Sequence, residues 1–233
     1  MERRRFCVAG GAAATGALWL GGLAAAHAQE PYQPGHHELP ALPYAYNALD
    51  GISEEVVRWH HDRHFAGYVK KRNAIEQKLA AMTPGAADFD AEAFAGLKRA
   101  ETFNASGMIL HGIYWDNLGG DGRPDPALAF VQALTTRFGS ADAWQAELRA
   151  VALAATGWAL CCYDPSDGQL HNYLCDSHHE GAVWGTGVIV ALDVFEHAYY
   201  RDYGPERAGY LDAFFRNLHW GRLDVRYRHL AGV

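Results

Sequence analysis

The sequence predicts an α+β protein, with an N-terminal antiparallel helical hairpin followed by an α/β domain that holds a small antiparallel sheet of about three strands. Three observations predict it. Apolar residues recur at three- and four-residue intervals from Ser53 toward Met82 and again from Ala91 to Leu118, with Thr83-Pro84-Gly85 between the two runs. Two β-type runs, 157–163 and 169–175, flank the turn string Asp164-Pro165-Ser166-Asp167-Gly168. A third, β-branched run lies at Gly187 to Leu192, and helical patterns resume after it.

The first 28 residues differ in composition from the rest. Arg3-Arg4-Arg5-Phe6 gives a basic start, residues 8–25 are an uncharged Gly/Ala/Leu run, and Ala26-His27-Ala28 has the small-x-small form of a signal-peptidase site. This predicts a cleaved signal peptide, residues 1–28, and an exported protein, periplasmic or extracellular. Arg3-Arg4-Arg5-Phe6 also fits the Arg-Arg-x-Phe core of twin-arginine signals, a class that directs export of folded proteins. The apolar run is nominally long enough for a membrane anchor, but its Gly/Ala content and the cleavage site at its end favour removal.

Without that segment, 205 residues remain with 17 basic and 26 acidic side chains, a charge of −9. A chain of this size buries a sizeable core without disulfides or metal. No Lys/Arg block is present that would track phosphates, so no nucleic-acid partner is expected. No second apolar span follows, so no membrane association is expected after cleavage. Cys161, Cys162 and Cys175 are too few for a disulfide framework. If the Asp164–Gly168 turn sets the hairpin register, Cys175 falls opposite about Gly157, too far from the other two for a bond.

Residues 29–43 carry Pro31, Pro34, Pro40 and Pro43 and read as an extended lead-in. The helical hairpin domain spans 44–120, with Ser53 as a plausible N-cap before Glu54 and Glu55. Gly119-Gly120-Asp121-Gly122 and Pro124 end it. The C-terminal α/β domain, 121–233, begins with helical composition at 126–154, interrupted at Phe138-Gly139-Ser140, passes through the three strands, and closes with helices at Glu196 to Tyr203 and Gly209 to Leu223.

His60 and His64 stand four residues apart, as do Asp193 and His197, so each pair can present its side chains on one face of its element. His111 lies among Ile109, Ile113, Tyr114 and Trp115, where an imidazole needs a partner or a ligand role. Taken singly, each of these histidines also reads as an ordinary hydrogen-bonded core or surface residue. Spacing does not choose between the two.

The surrounding strings do. HHDRHFAGY at 60–68, NASGMILHGIYW at 104–115 and DVFEHAYY at 193–200 together resemble the iron/manganese superoxide dismutase family. LPYAYNAL at 42–49, RFGS at 137–140, GWAL at 157–160 and NLHW at 217–220 follow in the family's order, so the resemblance covers nearly all of 39–225. It implies an enzyme that disproportionates superoxide to O₂ and H₂O₂ by redox cycling of one iron or manganese ion per subunit. The implied metal ligands are His60, His111, Asp193 and His197, three imidazoles and a carboxylate, a set suited to a first-row metal cycling between +2 and +3. The resemblance further implies His64 and Tyr68 beside the ligands, Tyr68 as gateway, and Trp115 and Trp158 as an aromatic wall. It implies a homodimer in which Glu196 reaches His197 of the partner subunit and Tyr200 reaches His64 of the partner subunit. An alternative stays open: an extracytoplasmic metal-binding homologue without dismutase turnover.

Two departures from the family pattern stand out. Most members place a Gln near the metal, either four residues before the second-helix ligand or from the hairpin strand. This chain has Gly107 at the first place and Asp176-Ser177-His178-His179 around the second. Counting back from Asp193 assigns the role to His178, with His179 as the alternative register. An imidazole donates one hydrogen bond and titrates near neutrality, which predicts a pH-dependent metal potential. Phe195 replaces the usual Trp between the Asp and His ligands and lacks its N–H donor. Iron is slightly favoured over manganese, because loading before folded export suits an easily lost +2 metal. Arg63 and Arg207 are candidates for a local positive entrance for the superoxide anion.

Overall fold

The computed structural model describes residues 32–233; the signal segment 1–28 with its twin-arginine motif lies outside the described residues. Ser53 caps the first helix as expected, its Oγ accepting from the Val56 amide at 3.2 Å. Helix α1 (Glu54–Trp59) continues into a π-helical segment (His60–Phe65) and then α2 (Ala66–Ala80). The sequence predicts one regular helix here. The wider i→i+5 turn differs from it, and such turns recur at functional sites. Helix α3 (Ala91–Asn117), capped by Asp90 on the Ala93 amide at 2.9 Å, packs back against α2 to close the hairpin.

The lead-in is docked on α2 rather than merely extended. Glu76, buried, accepts from the Gly35 amide at 3.0 Å and pairs with His37 at 2.8 Å and Arg72 at 2.8 Å. Asn73 exchanges two hydrogen bonds with the His37 backbone. Against the opposing effect of burial, the Gly35 amide, Arg72 and His37 hold the Glu76 carboxyl down to about 2.

In the second part, α4 (Ala129–Phe138) stops at Gly139, whose φ of +91° is left-handed. Ser140 then caps α5 (Ala141–Ala154). Strands β1 (Trp158–Asp164), β2 (Gln169–Cys175) and β3 (Gly187–Asp193) form one antiparallel sheet ordered β2-β1-β3. The observed register sets Cys175 opposite Trp158, one residue from the expected Gly157, and all three cysteines are free thiols.

The C-terminal helices are more broken than their composition suggests. Glu196–Ala198 is a 3₁₀ turn and α6 covers only Tyr200–Tyr203. The run expected at 209–223 divides into α7 (Arg207–Arg216) and α8 (Trp220–Ala231). Long-range bonds make the break: Asn217 exchanges two hydrogen bonds with the Asp50 backbone, and the His219 amide donates to the Asn117 carbonyl at 2.7 Å. Hairpin and sheet share one core, in which Val57, Tyr114 and Trp115 belong to the same buried cluster as Trp158, Leu192, Tyr210 and Phe214. Sharing a core lets ligands from both halves meet at fixed distances. Among the described residues no helix is long and apolar enough to cross a membrane.

Candidate metal centre

Four elements converge on one point. His60 comes from the π segment, His111 from α3, Asp193 from the end of β3 and His197 from the 3₁₀ turn. Their ligand atoms lie within 4.8 Å of one another. Asp193 Oδ2 is 3.2 Å from His60 Nε2, 3.4 Å from His111 Nε2 and 3.0 Å from His197 Nε2. The last pair differs from the sequence reading, which puts both residues on one face of a single element. Asp193 ends a strand, its Oδ1 accepts from the Phe195 amide at 3.0 Å, and the turn so formed brings His197 back over Oδ2.

The donor set fits a first-row cation. His111 Nδ1–H donates to the Gly107 carbonyl at 2.6 Å, which leaves its Nε2 as a bare lone pair aimed at the cluster. Apart from the Asp193 carboxylate they face, His60 Nε2 and His111 Nε2 are buried with no hydrogen-bond partner among the described residues. A buried polar atom without a partner is costly, and a bound cation satisfies both at once. Burial, together with the neighbouring His197 and His111, holds His60 well below the ordinary imidazole pKa despite its bond to Asp193, so it stays a neutral ligand. Asp193 is ionised: burial opposes this, but His197 and the bonds from His111 and His60 hold it well below the usual carboxylate range.

Around this cluster His60, His64 and Tyr68 form one column, with ring centroids 5.7 and 5.2 Å apart. Tyr68 stacks on His111 at 5.2 Å, and its Oη lies 2.6 Å from His178 Nε2. His178 Nδ1 accepts from Trp158 Nε1 at 3.0 Å. Of the two registers, the fold brings His178 to Tyr68, while His179 faces Ser177 Oγ at 3.2 Å. Burial, followed by the neighbouring His111, lowers the His178 pKa to about 4, so the imidazole is neutral at neutral pH rather than titrating there. Trp115 packs on His60 with centroids 4.9 Å apart, completing the aromatic wall with Trp158. Phe195 stacks on His197 at 5.6 Å and touches His178 at 5.2 Å.

Arg63 is exposed, but Arg207 is not a free charge at an entrance: its guanidinium donates to the Ala152 and Ala155 carbonyls and lies over the Tyr199 ring. His64 Nε2 is buried without a partner among the described residues, whereas Glu196 and Tyr200 are exposed. Two residues of the centre escaped the sequence reading. Tyr210 donates to the Asp193 carbonyl at 2.8 Å and also bonds Tyr114. Tyr114 sits inside a motif string, but nothing local marks Tyr210, whose partner is supplied by the fold.

Residues 36–119 match the family model described as the alpha-hairpin domain of iron/manganese superoxide dismutases, and residues 126–226 match that of their C-terminal domain. The chain belongs to the iron/manganese superoxide dismutase family. Relatives within it carry both metals' names. The chain is 44% identical over 198 residues to a protein of Halobacterium salinarum named as a manganese superoxide dismutase, covering 84% of this chain and 98% of the relative. It is 45% identical over 192 residues to one of Haloferax volcanii, also named for manganese, covering 82% of this chain and 95% of the relative. A protein of Cupriavidus metallidurans named as an iron superoxide dismutase is 40% identical over 194 residues, covering 82% of this chain and 96% of the relative. These superoxide dismutase names leave the alternative of a homologue without turnover unsupported.

Proposed function

We propose that this superoxide dismutase works with its iron or manganese ion held by His60, His111, Asp193 and His197, Tyr68 and His178 governing proton supply at the entrance. The observation that carries the ligand assignment is the approach of three imidazole nitrogens to Asp193 Oδ2 within 3.4 Å, two of them with no other partner among the described residues. The bound ion supplies reversible one-electron exchange between its +2 and +3 states. The protein's own residues do the rest. Asp193 offsets the ion's charge, the His111–Gly107 bond fixes that ligand's tautomer, and Trp115, Trp158 and Phe195 wall the site with apolar surface. The 2.6 Å contact between Tyr68 Oη and His178 Nε2, beside the ligand His111, supports a role for this pair in proton supply.

Iron is the favoured metal on the argument of loading before folded export, and the iron-named relative at 40% identity is compatible with it. Manganese is the second reading, carried by the manganese-named relatives at 44 and 45% identity. A homodimer accounts for His64 Nε2, which has no partner among the described residues, and for the exposed Tyr200 and Glu196, and the N-terminal composition supports export as a periplasmic or extracellular enzyme. The test is reconstitution of the purified protein with iron and with manganese separately. Superoxide disproportionation with one metal or both is expected, and no activity with either overturns the reading.

A further inference from the structure

The two nitrogens of His178 are engaged by two different kinds of partner. Trp158 Nε1–H is a donor only, so at 3.0 Å the atom it meets, Nδ1, is an acceptor and carries no hydrogen. A neutral imidazole bears one N–H, which therefore sits on Nε2. That N–H meets Tyr68 Oη at 2.6 Å, so the hydroxyl oxygen accepts. Both His178 and Trp158 are buried, and Phe103 and Phe195 pack on the imidazole at 4.7 and 5.2 Å, offering no competing polar group. Tyr68 Oη has no second hydrogen-bond partner among the described residues.

We propose that Trp158 is a positioning residue that fixes His178 as its Nε2–H tautomer, so that Tyr68 accepts from His178 and keeps its own hydroxyl proton for the ligand that reaches the metal centre. The reverse arrangement, Tyr68 donating to His178, would require a ring with no N–H, an imidazolate anion, or set an Nδ1–H against the Trp158 N–H. The assignment also separates this chain from relatives with Gln at this place. An amide brings two N–H groups and an oxygen, whereas His178 brings one N–H, already spent on Tyr68. Outward donation at the entrance then falls to Tyr68. That ligand is superoxide on the dismutase reading, on which this part of the proposal rests, but the proton positions stand independently of turnover.

Neutron diffraction from deuterium-exchanged crystals of the metal-loaded protein reads those positions directly. Deuterium on His178 Nε2, none on Nδ1, and a Tyr68 O–D turned away from His178 are expected. Deuterium on Nδ1, or a Tyr68 O–D aimed at a bare Nε2, overturns the proposal. In Trp158→Phe the lock is removed, and deuterium should appear on Nδ1 in part or entirely. If it stays on Nε2 alone, Trp158 does not set the tautomer. The wild-type map is decisive even where that variant fails to fold, and neither map depends on dismutase activity.

Discussion

A Cβ atom on Gly107 would lie 2.7 Å from the Tyr68 ring, so the missing side chain at 107 and the position of Tyr68 are one feature. Tyr68 is not free to yield, being stacked on His111 and bonded to His178. The same Gly107 supplies the carbonyl that orients His111. Glycine within α3 thus serves an ordered aromatic ring rather than a turn.

Two effects of opposite sign meet in Gly107→Ala. Helix propensity favours alanine by about 1 kcal/mol, while overpacking a well-filled site costs about 1–3 kcal/mol. Because Tyr68 is pinned from two sides, overpacking should win. A lower unfolding free energy in urea is the expected result, and a more stable variant would show that the Tyr68 ring moves freely.

The clasp between the lead-in and α2 has a calculable pH dependence. Glu76 ionises in the folded protein at about 2, below an unfolded carboxylate, so its contribution is present above about pH 4.5 and is lost as pH falls toward 2. Glu76→Gln should therefore cost on the order of 2 kcal/mol at pH 7, and the gap from wild type should shrink by more than half at pH 3. Denaturant titrations of both proteins at the two pH values measure it. A pH-independent gap would remove the carboxylate from the account.

Tyr200 lies exposed while His64 Nε2 is buried without a partner among the described residues. If a second copy joins them, Tyr200→Phe leaves that nitrogen unsatisfied in the dimer. The cost is about 1–3 kcal/mol per contact, and the contact occurs twice in a two-fold dimer, so the dimer dissociation constant should rise by roughly 30-fold to about 10,000-fold. Sedimentation equilibrium reads the change, and an unaltered constant would exclude Tyr200 from the interface.

Burial pushes the Cys162 thiol up to about 12 and the Cys175 thiol up to about 11, and raises Cys161 well above its usual value. Thiolate, the reactive form, is accordingly scarce at neutral pH. A thiol reagent should label none of the three in the folded protein within minutes and all three after denaturation. Rapid native labelling would contradict the packing around β1 and β2.

Most elements, their order and the four residues that gather as the candidate metal centre were legible in the sequence because each rests on local chemistry. Ser53 and Ser140 announce helix starts, Asp164–Gly168 a tight turn, and His60, His111, Asp193 and His197 sit in distinctive strings. What the tertiary structure alone decided depends on segments far apart in the chain. That His178 rather than His179 meets Tyr68 came from the approach of that tyrosine, 110 residues away, to a loop with no periodicity of its own. The break at Asn217 came from Asp50, and the engagement of Arg207 from two carbonyls more than fifty residues before it. Short-range patterns specify which backbone forms. Which polar atom meets which, and so which nitrogen of His178 carries the proton, is set only when the hairpin and sheet close on their common core.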